Sequence, residues 1–358
     1  MQIKWLKIGK NIIGDTMRHE IDLKNYQIRT DLAIEELENN NKLKGVKFDK
    51  YSVNNIVVTN VLLDSDNSLN RAEGKYITIE FQDITDSNNR QEVEHVLIKE
   101  IKKLINEISI TAKEKCLIIG LGNDKSTPDS LGPQVVNNIV VTNHLYLINQ
   151  LSDDFRPVAA INPGVTGQTG IETSDIISSI VKSFKPDFVI AIDSLASQSI
   201  DRVNKTIQMT DTGIHPGSGV GNRRKEISQK TIGVPVIAIG VPTVVDASVI
   251  VADTINYMYR HYAFNKEFNK NPKSKLTFNN VNYLKKEVNL SKETKKDLFG
   301  LIGTLNDDEI KKLIYEVLTP IGYNLMVTPK EVDFVIEKLA LLVSNALNNS
   351  LHQSDILI

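Results

Sequence analysis

The sequence lacks most of the motifs by which common catalytic sites and membrane anchors are found. It contains no HExxH zinc motif, no CxxC pair and no GxxxxGK[ST] phosphate loop. It has no GxSxG turn to present a nucleophilic serine, and no run approaches the roughly 20 apolar residues needed to cross a bilayer. These absences argue against a zinc peptidase of that type, a P-loop nucleotide hydrolase, an α/β-hydrolase and a membrane-spanning protein.

The sequence also has only one cysteine and a small net charge. The only cysteine, Cys116, excludes an internal disulfide, and its apolar neighbours predict a buried structural thiol rather than a nucleophile. The formal net charge of -2 over 358 residues gives no field that would favour nucleic acid or a membrane surface. The first twenty residues contain no continuous apolar segment, so we expect no signal peptide and a cytoplasmic location.

Short apolar runs alternate with helical patterns through the middle of the chain. This alternation predicts an α/β fold with a doubly wound, mostly parallel sheet. The strands are expected at 55–61, 76–81, 116–119, 157–161, 188–192 and 234–239. The helices are expected at 91–108, 131–142, 174–184 and 246–260. The two earliest strands are extra N-terminal elements of this fold.

The C-terminal part has a different pattern. Residues 264–297 are rich in Lys and Asn, which predicts a surface excursion. Residues 300–358 return to helical periodicity, with one helix over 306–318 and another after Pro329, and we expect this tail to pack on the core. Thr328 and Glu331 are spaced as a capping box for the second of these helices.

Two aspartates follow predicted central strands. Asp129 comes after the run 116–119, and Asp193 comes directly after the run 188–192. In open α/β sheets, ligands bind outside the carboxyl ends of the strands. Two carboxylates in that crevice can share a proton and catalyse hydrolysis, whereas the simpler interpretation is that each caps a helix. Several Gly-rich turns after the strands favour a site lined by backbone, suited to an extended peptide or an oxyanion.

Further candidates lie in one Gly-rich turn and in the N-terminal region. His215 is the only histidine in such a turn, within TDTGIHPGSGVGNRRKE. The segment IRTDLAIE places a small Ala33 between apolar Leu32 and Ile34, a pattern typical of a protease cleavage site.

Taken together, several long segments closely resemble the germination protease (spore protease) family of spore-forming bacteria. They include YQIRTDLAIE, CLIIGLGND with TPDSLGP, NPGVTGQTGIETSDII, KPDFVIAIDSLA and GVPVIAIGVPTVVDA. The resemblance implies an endopeptidase that degrades small acid-soluble spore proteins during germination, in the cytoplasm of the forespore or spore core. It also implies a fold similar to that of the hydrogenase-maturation proteases and a homotetramer. The near-neutral charge separately argues against direct binding to nucleic acid or membrane.

The resemblance also implies site residues and a zymogen. The family's two functional aspartates fall on Asp129 and Asp193, and its processing site falls on TDLA followed by IE. We therefore expect self-cleavage between Ala33 and Ile34, with residues 1–33 as propeptide and 34–358 as one α/β protease domain. His215, Arg223 and Arg224 are expected to bind substrate, the two arginines by attracting an acidic residue of the recognition sequence.

Acid–base catalysis by the aspartate pair, without a cofactor, is the expected mechanism. One ionised carboxylate would activate water while its protonated partner polarises the scissile carbonyl and later protonates the leaving amine. Three alternatives stay open: a metal-dependent maturation-type peptidase, a non-catalytic binder of small spore proteins, and a nucleoside-phosphorylase-like activity. The absence of a phosphate motif disfavours the last of these. For the first, the resemblance to the maturation proteases, in which acidic residues and a histidine bind metal, implies a cluster of Asp129, Asp193 and His215, and such ligands suit several divalent ions.

Overall fold

The computed structural model describes residues 31–39, 43–111, 113–150, 152–217, 225–270, 290–318 and 325–353. The chain divides into two compact units. The larger unit comprises residues 28–257 and 324–358. The smaller unit includes residues 258–323. All residues of the candidate site belong to the larger unit, whose framework is a single mixed sheet.

The sheet of the larger unit has nine strands among the described residues. In chain order these are β1 (Val46–Val53), β2 (Ile56–Leu63), β3 (Gly74–Glu80), β4 (Cys116–Gly120), β5 (Val158–Ile161), β6 (Phe188–Ser197), β7 (Thr206–Thr210), β8 (Val236–Asp246) and β9 (Met326–Val327). The spatial order is β1-β2-β3-β7-β8-β6-β4-β5, and β9 pairs with β8.

The prediction of a mostly parallel sheet was wrong for the sheet as a whole. Strands β8, β6, β4 and β5 pair in parallel, as their long apolar runs indicated. Strands β1, β2, β3 and β7 pair antiparallel with one another, and β7 and β9 pair antiparallel with β8. The sequence did not predict β1, β7 and β9, which turn the parallel core into a mixed, mostly antiparallel sheet.

Apolar side chains cover both faces of the parallel strands. Cys116 and Ile118 of β4 point into a core cluster shared with three helices, whereas Leu117 and Ile119 point into a second cluster on the opposite face. This alternation is the period of two that a strand buried on both sides requires. Burial raises the pKa of the Cys116 thiol, which confirms a buried rather than a reactive cysteine.

The helices of the larger unit are short except for α2, α6, α11 and the start of α8. They are α1 (Ala33–Asn39), α2 (Ser87–Glu107), α3 (Leu131–Asn137), α4 (Asn143–Leu147), α5 (Thr166–Thr169), α6 (Thr173–Phe184), α7 (Gln229–Ile232), α8 (Ala247–Lys270) and α11 (Val332–Leu351). Helices α2, α3 and α11 cover one face of the sheet, and α6 covers the other. The C-terminal helix α11 therefore packs on the core.

The smaller unit contains the end of α8, which leaves the larger unit at residue 257, together with α9 (Lys292–Phe299) and α10 (Asp307–Leu318). Tyr259 and Phe299 contact edge to face, with ring centroids 5.2 Å apart. The predicted surface excursion at 264–297 thus includes helical residues at both ends, and its centre, residues 271–289, lies outside the described residues. No helix within the described ranges is long and apolar enough to cross a membrane.

Candidate active site

Asp193 lies within a strand rather than after one. Strand β6 continues four residues beyond it, to Ser197, because Leu195 and Ala196 provide further apolar positions for burial. Asp193 is 5% exposed, and its Oδ1 accepts a hydrogen bond of 2.9 Å from the Ser194 N–H. The buried carboxylate is thereby fixed on a central parallel strand, beside Gly240 of β8.

Asp129 ends a short 3₁₀ helix, Thr127–Asp129, between β4 and α3. Its carbonyl oxygen accepts a 2.9 Å hydrogen bond from the Asn123 N–H. The backbone of Gly122 has φ +114°, and a Cβ there would lie 2.1 Å from the Asp129 carbonyl oxygen. Only glycine permits this approach, so Gly122 has a direct structural role in placing Asp129.

A bulge in β8 supports the same turn. Pairing between β6 and β8 passes from Leu195↔Pro242 to Ala196↔Val244, so Thr243 has no partner in the register. The Thr243 hydroxyl instead donates a 2.6 Å hydrogen bond to the carbonyl oxygen of Pro128. Bulges commonly re-aim one side chain in this way. Here the re-aimed threonine holds the residue before Asp129.

Asp129 and Asp193 line the same cavity of about 360 Å³. The structure thus brings together the two aspartates that the sequence singled out, although their catalytic role stays a prediction. Three glycine-turn positions of the kind expected, Gly122, Gly164 and Gly217, also line it. Its polar lining consists of Asp31, Ser126, Asp129, Thr173, Asp193, Ser194, Thr243 and Thr328.

Of the three residues predicted to bind substrate, only His215 belongs to the described part of the chain. His215 is exposed and does not belong to the lining, although the adjacent Pro216 and Gly217 do. Arg223 and Arg224 lie outside the described residues. Within the described part of the chain, no group of three His, Cys, Asp or Glu side chains is placed to hold a metal ion. The proposed cluster of Asp129, Asp193 and His215 is therefore not formed.

The N-terminal segment that resembles a cleavage site packs beside the aspartates. Asp31 lines the cavity, and its main-chain N–H donates to the Ala196 carbonyl at 3.3 Å. The Ala196 N–H donates in return to Asp31 Oδ2 at 2.9 Å. Leu32 and Ile34 are buried against Leu195. The extension of β6 beyond Asp193 therefore serves as the surface on which this segment is bound.

Two acidic residues at the start of α1, Glu35 and Glu36, hold this segment in place. The Glu35 carboxylate is 2% exposed and accepts hydrogen bonds from Ser197 Oγ at 2.6 Å and from the Gln198 N–H at 2.9 Å. Arg202 Nη1 lies 3.6 Å from Glu35 Oε1. The next residue, Glu36, forms an ion pair with Arg71. The two acidic side chains thus fix the first turn of α1, Glu35 to the end of β6 and Glu36 to the loop before β3.

Sequence reasoning missed the residues that hold this segment, above all Gln208 on β7. The Gln208 side chain donates to the Asp31 carbonyl oxygen at 2.7 Å and accepts from the Ala33 N–H at 2.6 Å. Arg71 Nη1 also donates to the Asp31 carbonyl, at 3.2 Å. The available signal was the sequence TIQMT, in which polar residues alternate with Ile207 and Met209 as in a strand.

The fold and the site together define an α/β protein with a carboxylate-lined cleft that binds a segment of its own polypeptide. The family model described as Peptidase A25, germination protease, matches residues 22–355. The chain therefore belongs to the germination protease family and is a peptidase of that family.

Individual relatives show the same likeness over nearly the whole length. The chain is 47% identical to germination proteases of Bacillus cereus (strain 03BB102) and Bacillus anthracis (strain CDC 684 / NRRL 3495). It is 48% identical to that of Bacillus cereus (strain ATCC 10987 / NRS 248). Each alignment covers 94% of this chain and 96% of the relative.

Proposed function

We propose that this chain is an aspartate-dependent endopeptidase that degrades small acid-soluble spore proteins during germination. The observation that carries the proposal is that Asp129 and Asp193 line the same cavity, with a segment of the chain bound alongside. The family supplies the class of reaction, and the cavity supplies residues able to perform it. The relatives named above are germination proteases, which supports a role in the forespore or spore core.

The proposed chemistry uses the two carboxylates as an acid–base pair. One of them, ionised, takes a proton from water as it attacks the scissile carbonyl carbon. The other carboxyl group, which is protonated, donates its proton to the carbonyl oxygen. As the intermediate collapses, a proton passes from the carboxyl pair to the leaving amine. The burial of Asp193 on β6 and the positioning of Asp129 by Gly122 and Thr243 support this assignment, because a catalytic pair must be held in a fixed geometry.

The chain is also proposed to be a self-processing zymogen that is cleaved in the segment 31–34. The bond predicted from the sequence, Ala33–Ile34, lies in the first turn of α1, where both residues are buried. The Asp31–Leu32 bond, two peptide bonds earlier, is supported by a different observation: Asp31 is the residue of this segment that lines the cavity. Cleavage at Ala33–Ile34 would first require the start of α1 to unwind, since a peptidase needs access to both sides of the bond.

Intact-mass and N-terminal analysis of the full chain tests this proposal. The wild type and Asp193→Asn would be incubated side by side at mildly acidic pH. A new N-terminus at Leu32 or Ile34, in the wild type alone, is the expected result and identifies the bond. Equal processing of both proteins would contradict catalysis by Asp193, and a wild type that neither processes nor cleaves a spore-protein substrate would contradict the peptidase function.

We propose that no resident metal takes part. The donor set supports this, because the candidate third ligand, His215, is exposed and outside the lining of the cavity. Processing that persists after exhaustive chelation is the expected result, and its loss with recovery on adding a divalent ion would favour the maturation-type mechanism. We also propose that the fold is similar to that of the hydrogenase-maturation proteases. The support for this is the parallel pairing of strands β8, β6, β4 and β5.

Assembly and substrate binding complete the proposal. We propose a homotetramer, which light scattering on the purified chain would measure directly. His215 is retained as a proposed substrate-binding residue, and Arg223 and Arg224 as proposed contacts for an acidic residue of the substrate. Reversing the charge at Arg223 should weaken cleavage of a substrate peptide. Catalytic turnover of such a peptide also separates a protease from a protein that only binds small spore proteins.

A further inference from the structure

Gln208 makes an unusual pair of hydrogen bonds. Its side-chain amide donates through Nε2 to the carbonyl oxygen of Asp31 and accepts through Oε1 from the N–H of Ala33. Both partners are main-chain groups, one on each side of Leu32. The side-chain amide therefore makes the two main-chain hydrogen bonds that a neighbouring strand would make to an extended peptide. It recognises the backbone of this segment and none of its side chains.

The position of Gln208 makes this contact hard to explain as ordinary core packing. Gln208 is 6% exposed and sits on β7, between β3 and β8 in the sheet. A buried amide requires hydrogen-bond partners, and the segment 31–33 supplies one for each of its two polar atoms. If cleavage releases that segment, both atoms require new partners. A peptide substrate with the same backbone geometry would supply them.

The side chain of Leu32, which lies between the two hydrogen-bonded main-chain groups, is bound by other residues. Leu32 is fully buried in a small apolar cluster with Ile34 and Leu195. Main-chain recognition by Gln208 and side-chain recognition by this cluster are therefore separate. Such a division suits an enzyme that cuts several related protein sequences, because the backbone contact is the same in all of them.

We propose that Gln208 is a substrate-binding residue, a two-point clamp on the main chain that holds the cleavage segment of this chain and then the equivalent segment of protein substrates. This inference rests on the proposed peptidase function. Arg71 shares the Asp31 carbonyl, so the clamp also places two donors on that oxygen. If the Asp31–Leu32 bond is the one cut, these donors polarise the reacting carbonyl.

The test uses two peptides that differ at one atom. The first contains the sequence Thr30 to Glu35 of this chain with flanking residues, and the second replaces the Ala33 N–H with an ester oxygen. The full chain, incubated under processing conditions, is assayed with both. We expect the wild type to lose about three- to tenfold in kcat/KM on the ester peptide, chiefly through KM, which is the usual range for one hydrogen bond.

Variants at Gln208 make the result specific. Gln208→Ala should cleave both peptides more slowly and should no longer distinguish them. Gln208→Glu keeps the acceptor for the Ala33 N–H and loses the donor, so it should remain sensitive to the ester while cleaving both peptides less well. Thr206→Val, two residues away on the same strand, is the matched control and should distinguish the peptides as the wild type does.

The outcomes separate this inference from the function on which it rests. Failure of the wild type to cut the amide peptide would overturn both. Cleavage by the wild type with no penalty for the ester, or an equal penalty in Gln208→Ala, would overturn the clamp and leave the peptidase function standing. A variant that merely folds poorly would slow both peptides equally without changing their ratio in this selective way.

Discussion

Replacing Gly122 with alanine is the sharpest test of how the site is built. The substitution puts a Cβ 2.1 Å from the Asp129 carbonyl oxygen and 3.2 Å from Asp129 Oδ1. The backbone at Gly122 has φ +114°, which costs an L-residue about 1–3 kcal/mol before any clash. Because the nearer atom belongs to the backbone, it cannot be relieved by rotating a side chain, and the turn that carries Asp129 must shift.

Gly233 offers a matched control. It also has positive φ, +82°, but no atom lies within 4 Å of the position its Cβ would take. We expect Gly233→Ala to lower the free energy of unfolding by about 1 kcal/mol, from backbone strain alone. Gly122→Ala should lower it by at least about 3 kcal/mol, the sum of the strain and the forced displacement.

Urea unfolding measures the stability of both variants, and appearance of the processed N-terminus measures activity. We expect Gly233→Ala to process at close to the wild-type rate, and Gly122→Ala to lose processing even at temperatures where it remains folded. Equal stability of the two variants, with normal processing by both, would refute the argument that Gly122 fixes the position of Asp129.

Two further predictions follow from single contacts. Thr243→Val removes the hydroxyl that holds the Pro128 carbonyl and should cost about 1 kcal/mol of stability and lower kcat more than it changes KM. Thr254→Val, which loses a comparable bond on an exposed helix, should leave cleavage kinetics unchanged. Burial, aided by the charge of Arg156, lowers the pKa of His352. The neutral imidazole is favoured in the folded state, so the stability that His352 contributes is present above its unfolded pKa of about 6.5 and is lost as the pH falls below it. Between pH 7.5 and pH 5, the free energy of unfolding should therefore fall less in His352→Gln than in the wild type.

Much of the parallel half of the fold could be predicted from the sequence. Strands β4 and β5 are short apolar runs, and β6 and β8 each begin with such a run, which is the pattern expected of strands in a parallel sheet. The long helices α2, α6 and α11 carry apolar residues on one face, which is also a local signal. For the same reason, the two aspartates could be found, because each is positioned by a run close to it in the sequence.

The missed strands β1 and β7 were harder to predict because their composition is not typical of their location, and β7 also pairs with β3, which lies far away in the sequence. Strand β1 is at the edge of the sheet and mostly exposed, and β7 is buried yet contains Thr206, Gln208 and Thr210. Neither has the composition expected of its location. The predicted capping box at the start of α11 was wrong for a similar reason: the Thr328 hydroxyl donates to the Thr243 carbonyl, 85 residues away, instead of capping the helix.

The sequence by itself therefore determined the family, the parallel core, the two aspartates and the segment Asp31 to Ile34, because each of these is encoded in residues close together in the chain. Only the tertiary structure decided that Asp193 lies inside a strand, that a bulge aims Thr243 at the Asp129 turn, and that Gln208 binds the segment across 175 residues of sequence from Ala33. The physical reason is that periodicity reports which face of an element is buried, whereas strand register and buried polar partners depend on residues brought together only by folding.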